Sequence, residues 1–431
     1  MPAIQKQVQR FLSDQGLDFS KLAFQDFSEA FQSEMRKGLA GEASSLAMLP
    51  TYVNLERSIP AGRAVMVIDA GGTNLRVCKV TFDELGQEHV EDFRQFPMPG
   101  THGLLSADVF FSLFAQYLSS VSDNSPEIDS IGLCFSYPTT MLPNHDGILM
   151  GWSKEVQAPE VIGQAIGKGI LAHVKDGQNK RVVLLNDTVA TLLAGKAQGE
   201  LHQCSQYAGF ILGTGTNLAI VQPNSAILKC FDEKALGQQA INIESGNFNR
   251  LFQGVADSRF DASTKNPGQY VFEKMASGAY LGPLFSSILK AAAQENLLSA
   301  TLAQRLVEGQ TLTSLDLNNL LRNPFQKGPL SVGSEGDLEV CVRIGQHLVD
   351  RAAHLCAFKI ASGLLFMGGG RNILHPICLN IDGSTVHKMY SYYRTMATRL
   401  EALLKPEGVH VLLVQKDNAP VLGAAIAALT N

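Results

Sequence analysis

One short pattern occurs twice in this chain. Val65–Val80 reads VMVIDAGGTNLRVCKV and Gly209–Val221 reads GFILGTGTNLAIV. Each copy is an apolar run, a glycine turn with Thr-Asn, and a second apolar run, which predicts strand, tight turn, strand. Glycines let backbone N–H groups converge on an anion, and Thr adds a hydroxyl. From Asp69 to Gly213 is 144 positions. Turns that far apart can grip one polyphosphate from opposite sides, with the reactive groups between two lobes. The P-loop pattern GxxxxGK[ST] is absent. A glycine turn between two strands also differs from the strand-to-helix dinucleotide fingerprint.

The bulk properties agree with two lobes. At 431 residues the chain is long for a single core. It is 45% hydrophobic and 17% charged, which suits a packed enzyme rather than a disordered chain. A net charge of −5 gives no global attraction to nucleic acid or acidic lipid. The 7 Cys are scattered without a CxxC pair, which argues for reduced thiols rather than a disulfide framework or a zinc site. The N-terminal MPAIQKQVQRFLSDQ lacks the apolar core of a signal peptide. The C-terminal APVLGAAIAAL is too short to span a bilayer. Ala357–Leu374 is apolar but interrupted by Lys359 and Arg371. The expectation is a soluble cytoplasmic protein with no membrane or nucleic-acid partner.

Phe24, Phe27, Phe31, Met35 and Leu39 recur at helical spacing. Phe110, Phe114, Tyr117, Leu118 and Val121 mark another helix, with Ser106 or Asp108 as N-cap. Ile131, Leu133 and Phe135 alternate as in a half-buried strand. Val182–Leu185 is a fully apolar strand that stops at Asn186-Asp187 and runs into a helix, TVATLLAGKAQG. From Ser263 to Lys405 the chain reads as largely helical, apart from Leu364–Met367 and the apolar stretch before Asp382-Gly383. Arg322–Asp337, with two Pro and three Gly, reads as an exposed loop. A hairpin-first pattern that restarts at Tyr207 resembles the duplicated architecture of actin-like ATPases and sugar kinases.

In the first turn, Asp69-Ala-Gly-Gly-Thr-Asn-Leu-Arg76 supplies backbone donors, a hydroxyl and a cation for phosphate. Asp69 is a candidate to hold magnesium through water, since that ion keeps much of its hydration shell. Asp187 reads either as an N-cap or as the base that takes a proton from a hydroxyl attacking a phosphate. Asn186, Asn217, Glu244 and Glu273 are carboxylates and amides of the kind a ring of sugar hydroxyls needs. Trp152-Ser153-Lys154, with the chain's single Trp, reads as a ligand-facing loop. The His residues show no metal-ligand spacing.

These segments resemble the hexokinase family of ATP-dependent sugar kinases, from about Glu34 to the C-terminus. MLPTYV (48–53) and IDAGGTNLRV (68–77) are similar to the family's lead-in and first phosphate loop. GLCFSYP (132–138) resembles its sugar-binding serine segment and GWSKEV (151–156) its Trp-Thr-Lys loop. LNDTVATL (185–192) resembles its catalytic segment, and ILGTGTN (211–217) its second phosphate loop. NIESGNF (242–248) and FEKMASGAYLG (272–282) resemble its two sugar-binding glutamate segments. RAAHLC (351–356) and DGSTVHK (382–388) are similar to segments near the nucleotide.

The resemblance implies an α/β, two-lobed actin-like kinase fold, a duplicated ribonuclease-H-like unit with a cleft between a small and a large lobe. The lobes are expected as an N-terminal helical segment 1–46, a small lobe 47–189 joined by a C-terminal helix 419–431, and a large lobe 190–418. It implies Asp187 as general base, with Lys154 and Arg76 neutralising charge on the transferring phosphoryl group. Sugar contacts are implied for Ser136, Ser153, Lys154, Asn186, Asp187, Asn217, Glu244 and Glu273. Nucleotide contacts are implied for Asp69, Gly71, Gly72, Thr73, Asn74, Arg76, Gly213, Thr214, Gly215 and Ser384, with ATP as co-substrate and Mg²⁺ near Asp69. The chain departs from the family at Ser153, where Thr is usual, and at Ser245, where Trp is usual. Gly368-Gly-Gly-Arg371 and Asn418–Gly423 also differ, on the nucleotide side.

The expected activity is transfer of the γ-phosphate of ATP to the 6-hydroxyl of a hexose such as glucose, by a monomer or a homodimer. Two alternatives stay open: a kinase-like sugar sensor, and an actin-like kinase for a non-hexose or amino-sugar acceptor. The retained Asp187, Lys154, Arg76 and both turns favour catalysis, and the two glutamate segments favour a hexose.

Overall fold

A computed structural model describes residues 2–122, 128–152 and 156–431. Thirteen strands are present among them. In the first half they are β1 Leu49–Asn54, β2 Val65–Ala70, β3 Asn74–Phe82, β4 Glu88–Pro97, β5 Ser130–Phe135, β6 Thr139–Met141, β7 Gly147–Leu149 and β8 Arg181–Leu185. In the second half they are β9 Gln206–Leu212, β10 Thr216–Pro223, β11 Gln238–Asn242, β12 Ile377–Asp382 and β13 Val411–Val414.

The duplication seen in the sequence extends to the topology. One sheet has the order β4-β3-β2-β5-β8, and the other the order β1-β11-β10-β9-β12-β13. In each, an antiparallel meander comes first and two strands parallel to its first strand follow. β5 and β8 continue parallel from β2, and β12 and β13 continue parallel from β9. β1 is an added edge on the second sheet, antiparallel to β11. Residues 49–54, expected with the small lobe, therefore form their ladder with the other sheet; a distant pairing of this kind leaves no local mark in sequence.

After the last strand of each copy, a helix crosses to the opposite sheet. Asp187–Leu201 follows β8, and Asn380 on β12 donates from Nδ2 to the Thr191 carbonyl in that helix at 2.8 Å. Ala419–Thr430 follows β13 and lies on the first sheet, where a Cβ at Gly132 of β5 would meet the Ala424 carbonyl at 2.1 Å. The two helices touch through their backbones: a Cβ at Gly423 would lie 2.0 Å from the Ala190 carbonyl oxygen. Only small residues allow that approach, which explains the run LGAAIAAL. The resulting Ala-rich core joins the two sheets, and each lobe also has a core of its own.

The predicted helices at 24–39 and around Phe110–Val121 appear as Phe24–Ala40 and Ala107–Ser122. Ser106 takes the capping role of the latter, accepting from the Val109 N–H at 3.4 Å. β5 is buried along its whole length rather than on one face, because it is a central parallel strand covered on both sides. Leu364–Met367, expected outside the helices, is the last turn of the 33-residue helix Glu335–Met367. That helix stops at Gly368, whose φ of 81° suits glycine. At its start, Ser334 and Asp337 form a capping box that ends the predicted loop. Among the described residues no helix is long and apolar enough to cross a membrane.

Candidate active site

Three parallel strands of the first sheet, β2, β5 and β8, end side by side. Their carboxyl ends deliver Asp69, Ser136 and Asn186-Asp187 to one rim, the usual location for ligands on parallel strands. In the second sheet β9 and β12 end together and deliver Gly213 and Asp382-Gly383-Ser384. A Cβ at Gly213 would lie 3.9 Å from the Ser384 nitrogen. Both glycine turns thus sit at strand ends, as the repeated pattern predicted.

Asp69 is buried at the end of β2 and pairs in register with Arg76 across the hairpin. Arg76 Nη1 lies 3.1 Å from Asp69 Oδ2. Burial raises the pKa of Asp69, Arg76 opposes the rise, and the charge of Asp187 adds to it. The neighbouring Cys134 on β5 hydrogen-bonds Asp69, and burial drives that thiol well above its ordinary pKa. Tyr137 is a residue that the sequence did not single out. Its hydroxyl donates to the carbonyls of Gly71 and Gly72, each at 3.1 Å, and so anchors the first turn. Ser136 is tied to the same turn by its N–H, which donates to the Ala70 carbonyl at 3.2 Å. Thr73 and Asn74 are exposed at the tip of the turn.

Asn186, rather than Asp187, caps the helix: its Oδ1 accepts from the Thr188 N–H at 2.9 Å. Asp187 is therefore spared the capping task. It is half-buried, and the Thr188 hydroxyl donates to its Oδ1 at 3.2 Å.

The second turn is held as firmly as the first. The Gly213 carbonyl accepts from the Gly278 N–H at 2.9 Å and from the Thr385 hydroxyl at 2.9 Å. The Thr214 carbonyl accepts from the Ala279 N–H at 3.0 Å. Asn217 Nδ2 donates to Asn242 Oδ1 at 2.7 Å, and Asn242 Nδ2 donates to Glu244 Oε1 at 2.8 Å. Glu244 itself is in the left-handed region, with φ 58°. Burial raises its pKa, the Asn242 amide opposes the rise, and the charges of Asp187 and Glu273 add to it. Glu273 accepts from the Thr216 N–H at 2.9 Å. Its pKa is raised by burial and held down by that N–H and by Lys359.

The charge of Asp187 adds to the raised pKa of Asp69 at the first turn and of Glu244 near the second. Asn217 is joined to Glu244 through Asn242, and Glu273 to Thr216 next to Asn217. The predicted Ser153 and Lys154 lie outside the described residues. Trp152, expected to face a ligand, donates from Nε1 to the Ala158 carbonyl at 2.8 Å and packs on Tyr137, Phe110 and Phe135. Ser245 is fully buried, and its N–H donates to Asn217 Oδ1 at 3.0 Å. Asn242 and Lys359 were also missed; a charged residue inside the apolar stretch Ala357–Leu374 was the one available signal for the latter.

Two family models, both described as hexokinase, match residues 7–197 and 207–430. The chain belongs to the hexokinase family. It is 32% identical to Hexokinase-9 of Oryza sativa subsp. japonica, over 93% of this chain and 85% of that protein. It is 31% identical to Hexokinase-2 of Solanum tuberosum, over 94% of this chain and 87% of that protein. Against Hexokinase HKDC1 of Mus musculus it is 28% identical over 98% of its length, and spans about half of that longer protein (48%). The solved hexokinase of Schistosoma mansoni complexed with glucose superposes with a TM-score of 0.79 at 25% identity, over 99% of this chain and 100% of that one. The fold of this hexokinase-family chain is accordingly the two-lobed actin-like kinase fold.

Proposed function

We propose that this chain transfers the γ-phosphoryl group of ATP to the primary 6-hydroxyl of a hexose, with glucose as the first candidate. One observation carries the reading: in a chain of the hexokinase family, Asp187 begins the helix at the end of β8, on the rim where β2 delivers Asp69 and the first glycine turn, and its charge also raises the pKa of Glu244. A group that serves both a nucleotide half and a sugar half is where transfer between them belongs. The glucose-bound relative from Schistosoma mansoni supports the choice of hexose.

In this reading Glu244 and Glu273 accept hydrogen bonds from sugar hydroxyls, Asn217 and Asn186 donate from Nδ2 to sugar oxygens because their Oδ1 atoms already accept backbone N–H groups, and Ser136, Ser153 and Lys154 complete the contacts. Burial raises the pKa of both glutamates, and donation from sugar hydroxyls opposes that rise. Asp187 accepts the proton of the 6-hydroxyl as it attacks phosphorus. Gly71, Gly72, Thr73 and Asn74 cradle the phosphates from one side. Gly213, Thr214, Gly215 and Ser384 do so from the other. Arg76 and Lys154 spread the charge that develops. Closure of the lobes around the Ala-rich helix pair excludes water, the competing acceptor.

A magnesium ion carried by the nucleotide fits beside Asp69. That carboxylate stays under pressure to protonate even with Arg76 at 3.1 Å, so a second cation stabilises it. When bound, the ion neutralises phosphate charge. We also assign 1–46 to an N-terminal helical segment, 190–418 to the large lobe, and 47–189 with 419–431 to the small lobe. The exception is 49–54, which is better counted with the large lobe whose sheet it extends. The free cysteines at 78, 134, 204, 230, 341, 356 and 378 suit a reducing compartment such as the cytoplasm.

The test is product identification by phosphorus NMR, crossing ATP, GTP and polyphosphate with glucose, mannose, fructose and N-acetylglucosamine in the presence of Mg²⁺. Hexose 6-phosphate formed from ATP is the expected result. No phosphorylated hexose with any donor would leave the sugar-sensor alternative. Product from N-acetylglucosamine alone would select the amino-sugar alternative.

A further inference from the structure

Lys359 lies in the middle of the helix Glu335–Met367 and is completely buried. Its Nζ donates to the Thr216 hydroxyl at 2.7 Å. The ammonium also stands 4.5 Å from the ring centroid of Phe272 and 5.1 Å from that of Phe210, within range for attraction to the ring faces. Thr216 opens β10 directly after the second glycine turn. Its hydroxyl donates to the Ile211 carbonyl at 3.0 Å and closes the turn, while its N–H donates to Glu273 Oε2 at 2.9 Å. Lys359, Thr216 and Glu273 therefore form one relay from the core to the sugar pocket.

Resting on the hexose-kinase reading above, we propose that Lys359 is a positioning residue for hexose recognition. Through the Thr216 hydroxyl it fixes the second glycine turn. Its buried positive charge faces Glu273, so that this residue meets the sugar as a carboxylate.

A buried ammonium is expensive, and an apolar side chain of similar volume would occupy the same space at lower cost. What offsets the expense here is the coupling between the two charges. Burial pushes the pKa of Lys359 down to about 8, with Cys356 and Glu273 opposing the fall. Lys359 in turn opposes the rise that burial imposes on Glu273. The helix of Lys359 itself presents the Cys356 thiol, which burial keeps protonated and which hydrogen-bonds Tyr392 from the helix Tyr392–Leu404. The helix Val271–Ala276 presents Glu273 and Phe272, and β9 and β10 present Phe210 and Thr216. Phe24 and Phe27 of the helix Phe24–Ala40 meet the neighbouring Phe358 and Phe272 edge-on and bring no charge. Glu273 is thus the carboxylate that Lys359 acts on, and Glu244 feels the result through Glu273.

The sign follows from these relations. Without the positive charge, the Glu273 pKa rises further, so the carboxylate protonates at a higher pH and glucose binding weakens on the acid side. The test uses Lys359→Met, which removes charge and hydrogen bond, and Lys359→Gln, which keeps a donor for Thr216 but removes the charge. Glucose affinity is measured by calorimetry, and glucose KM, ATP KM and kcat by initial rates, all as functions of pH. Thermal unfolding is followed on the same samples. In both variants the acid limb of the glucose KM profile should move up by about one pH unit, so that KM is about tenfold above wild type at pH values below both limbs. ATP KM should stay unchanged and kcat should fall less than KM rises. In a Glu273→Gln background, Lys359→Met should add no further shift of the limb. Variants that melt lower but keep the wild-type profile would make Lys359 purely structural and overturn the proposal. A wild-type profile for Lys359→Gln alone would overturn the role of charge. A wild-type protein that neither binds nor phosphorylates any hexose would instead remove the parent reading, so the two failures are distinguishable.

Discussion

Gly215→Ala tests the site at one atom. Gly215 sits in the second turn without a positive φ, so alanine is compatible with its backbone. The new methyl would meet Glu273 Oε2 at 2.5 Å and Cδ at 3.2 Å. Ordinary contact begins near 3.4 Å, so the carboxylate oxygen must retreat by about 0.9 Å. Retreat breaks its 2.9 Å bond from the Thr216 N–H and withdraws it from the sugar pocket. The obstacle is the far end of a flexible side chain, so the fold gives way cheaply while the site does not. Losing a hydrogen bond to a charged acceptor costs about 1.5–3 kcal/mol. Expressed as affinity, that is roughly 10- to 150-fold. Initial-rate kinetics should therefore show glucose KM raised by roughly that factor, with ATP KM affected less, and calorimetry should show glucose binding weakened in parallel. The melting temperature should fall by no more than about 2 °C. A Gly215→Ala protein with wild-type glucose KM would refute the argument that Glu273 at this position holds the sugar. Equal damage to both substrates would mean that the turn has collapsed instead.

Two further outcomes concern the scaffold. Glu34 is buried, which pushes its pKa up. The Ser45 N–H, Lys37 and the Ser45 hydroxyl win, and hold it at about 2, against an ordinary value of 4.5. A lowered folded-state pKa stabilises above the unfolded value and is lost as pH falls through the folded one. Glu34→Gln should cost about 2–3 kcal/mol at pH 7 by denaturant unfolding, and its deficit should shrink between pH 4.5 and about 2; a deficit independent of pH would contradict the assignment. Asp257 and Arg351 form a buried bidentate pair, at 2.6 and 2.8 Å. Arg351→Met strands the carboxylate and should cost about 3–5 kcal/mol, whereas Asp257→Asn with Arg351→Met should recover much of the loss. A double variant no better than the single one would show that the charge left behind is not the source of the cost.

Local chemistry was legible in the sequence because it is written in neighbouring residues. The two glycine hairpins, the Phe24–Ala40 helix and the arrest of β8 at Asn186-Asp187 all follow from periodicity and turn residues. What the chain hides is whatever depends on distant partners. β1 pairs with β11 across nearly two hundred positions, and nothing in LPTYVN announces its partner. The complete burial of β5 reflects the strands and helices on either side of it, which its own alternation cannot reveal. Asp187 was the candidate for the cap, and only the geometry of the helix start assigns that role to Asn186 instead. Lys359 was visible as a charge in an apolar run, but its meaning needed Thr216 and Glu273, brought in from two other elements. Asn242 carried no signal of its own in the sequence, because its role is to link Asn217 to Glu244 through its amide.

The central claim is that Asp187 serves both substrates at once, and Asp187→Asn tests it most directly. The substitution keeps shape and removes the charge that Asp69 and Glu244 feel. Glucose binding by calorimetry and phosphoryl transfer in a single turnover should be measured on one preparation. The account predicts glucose affinity within about tenfold of wild type and transfer slowed by about 10²–10⁴. Transfer at the wild-type rate with glucose bound would contradict it.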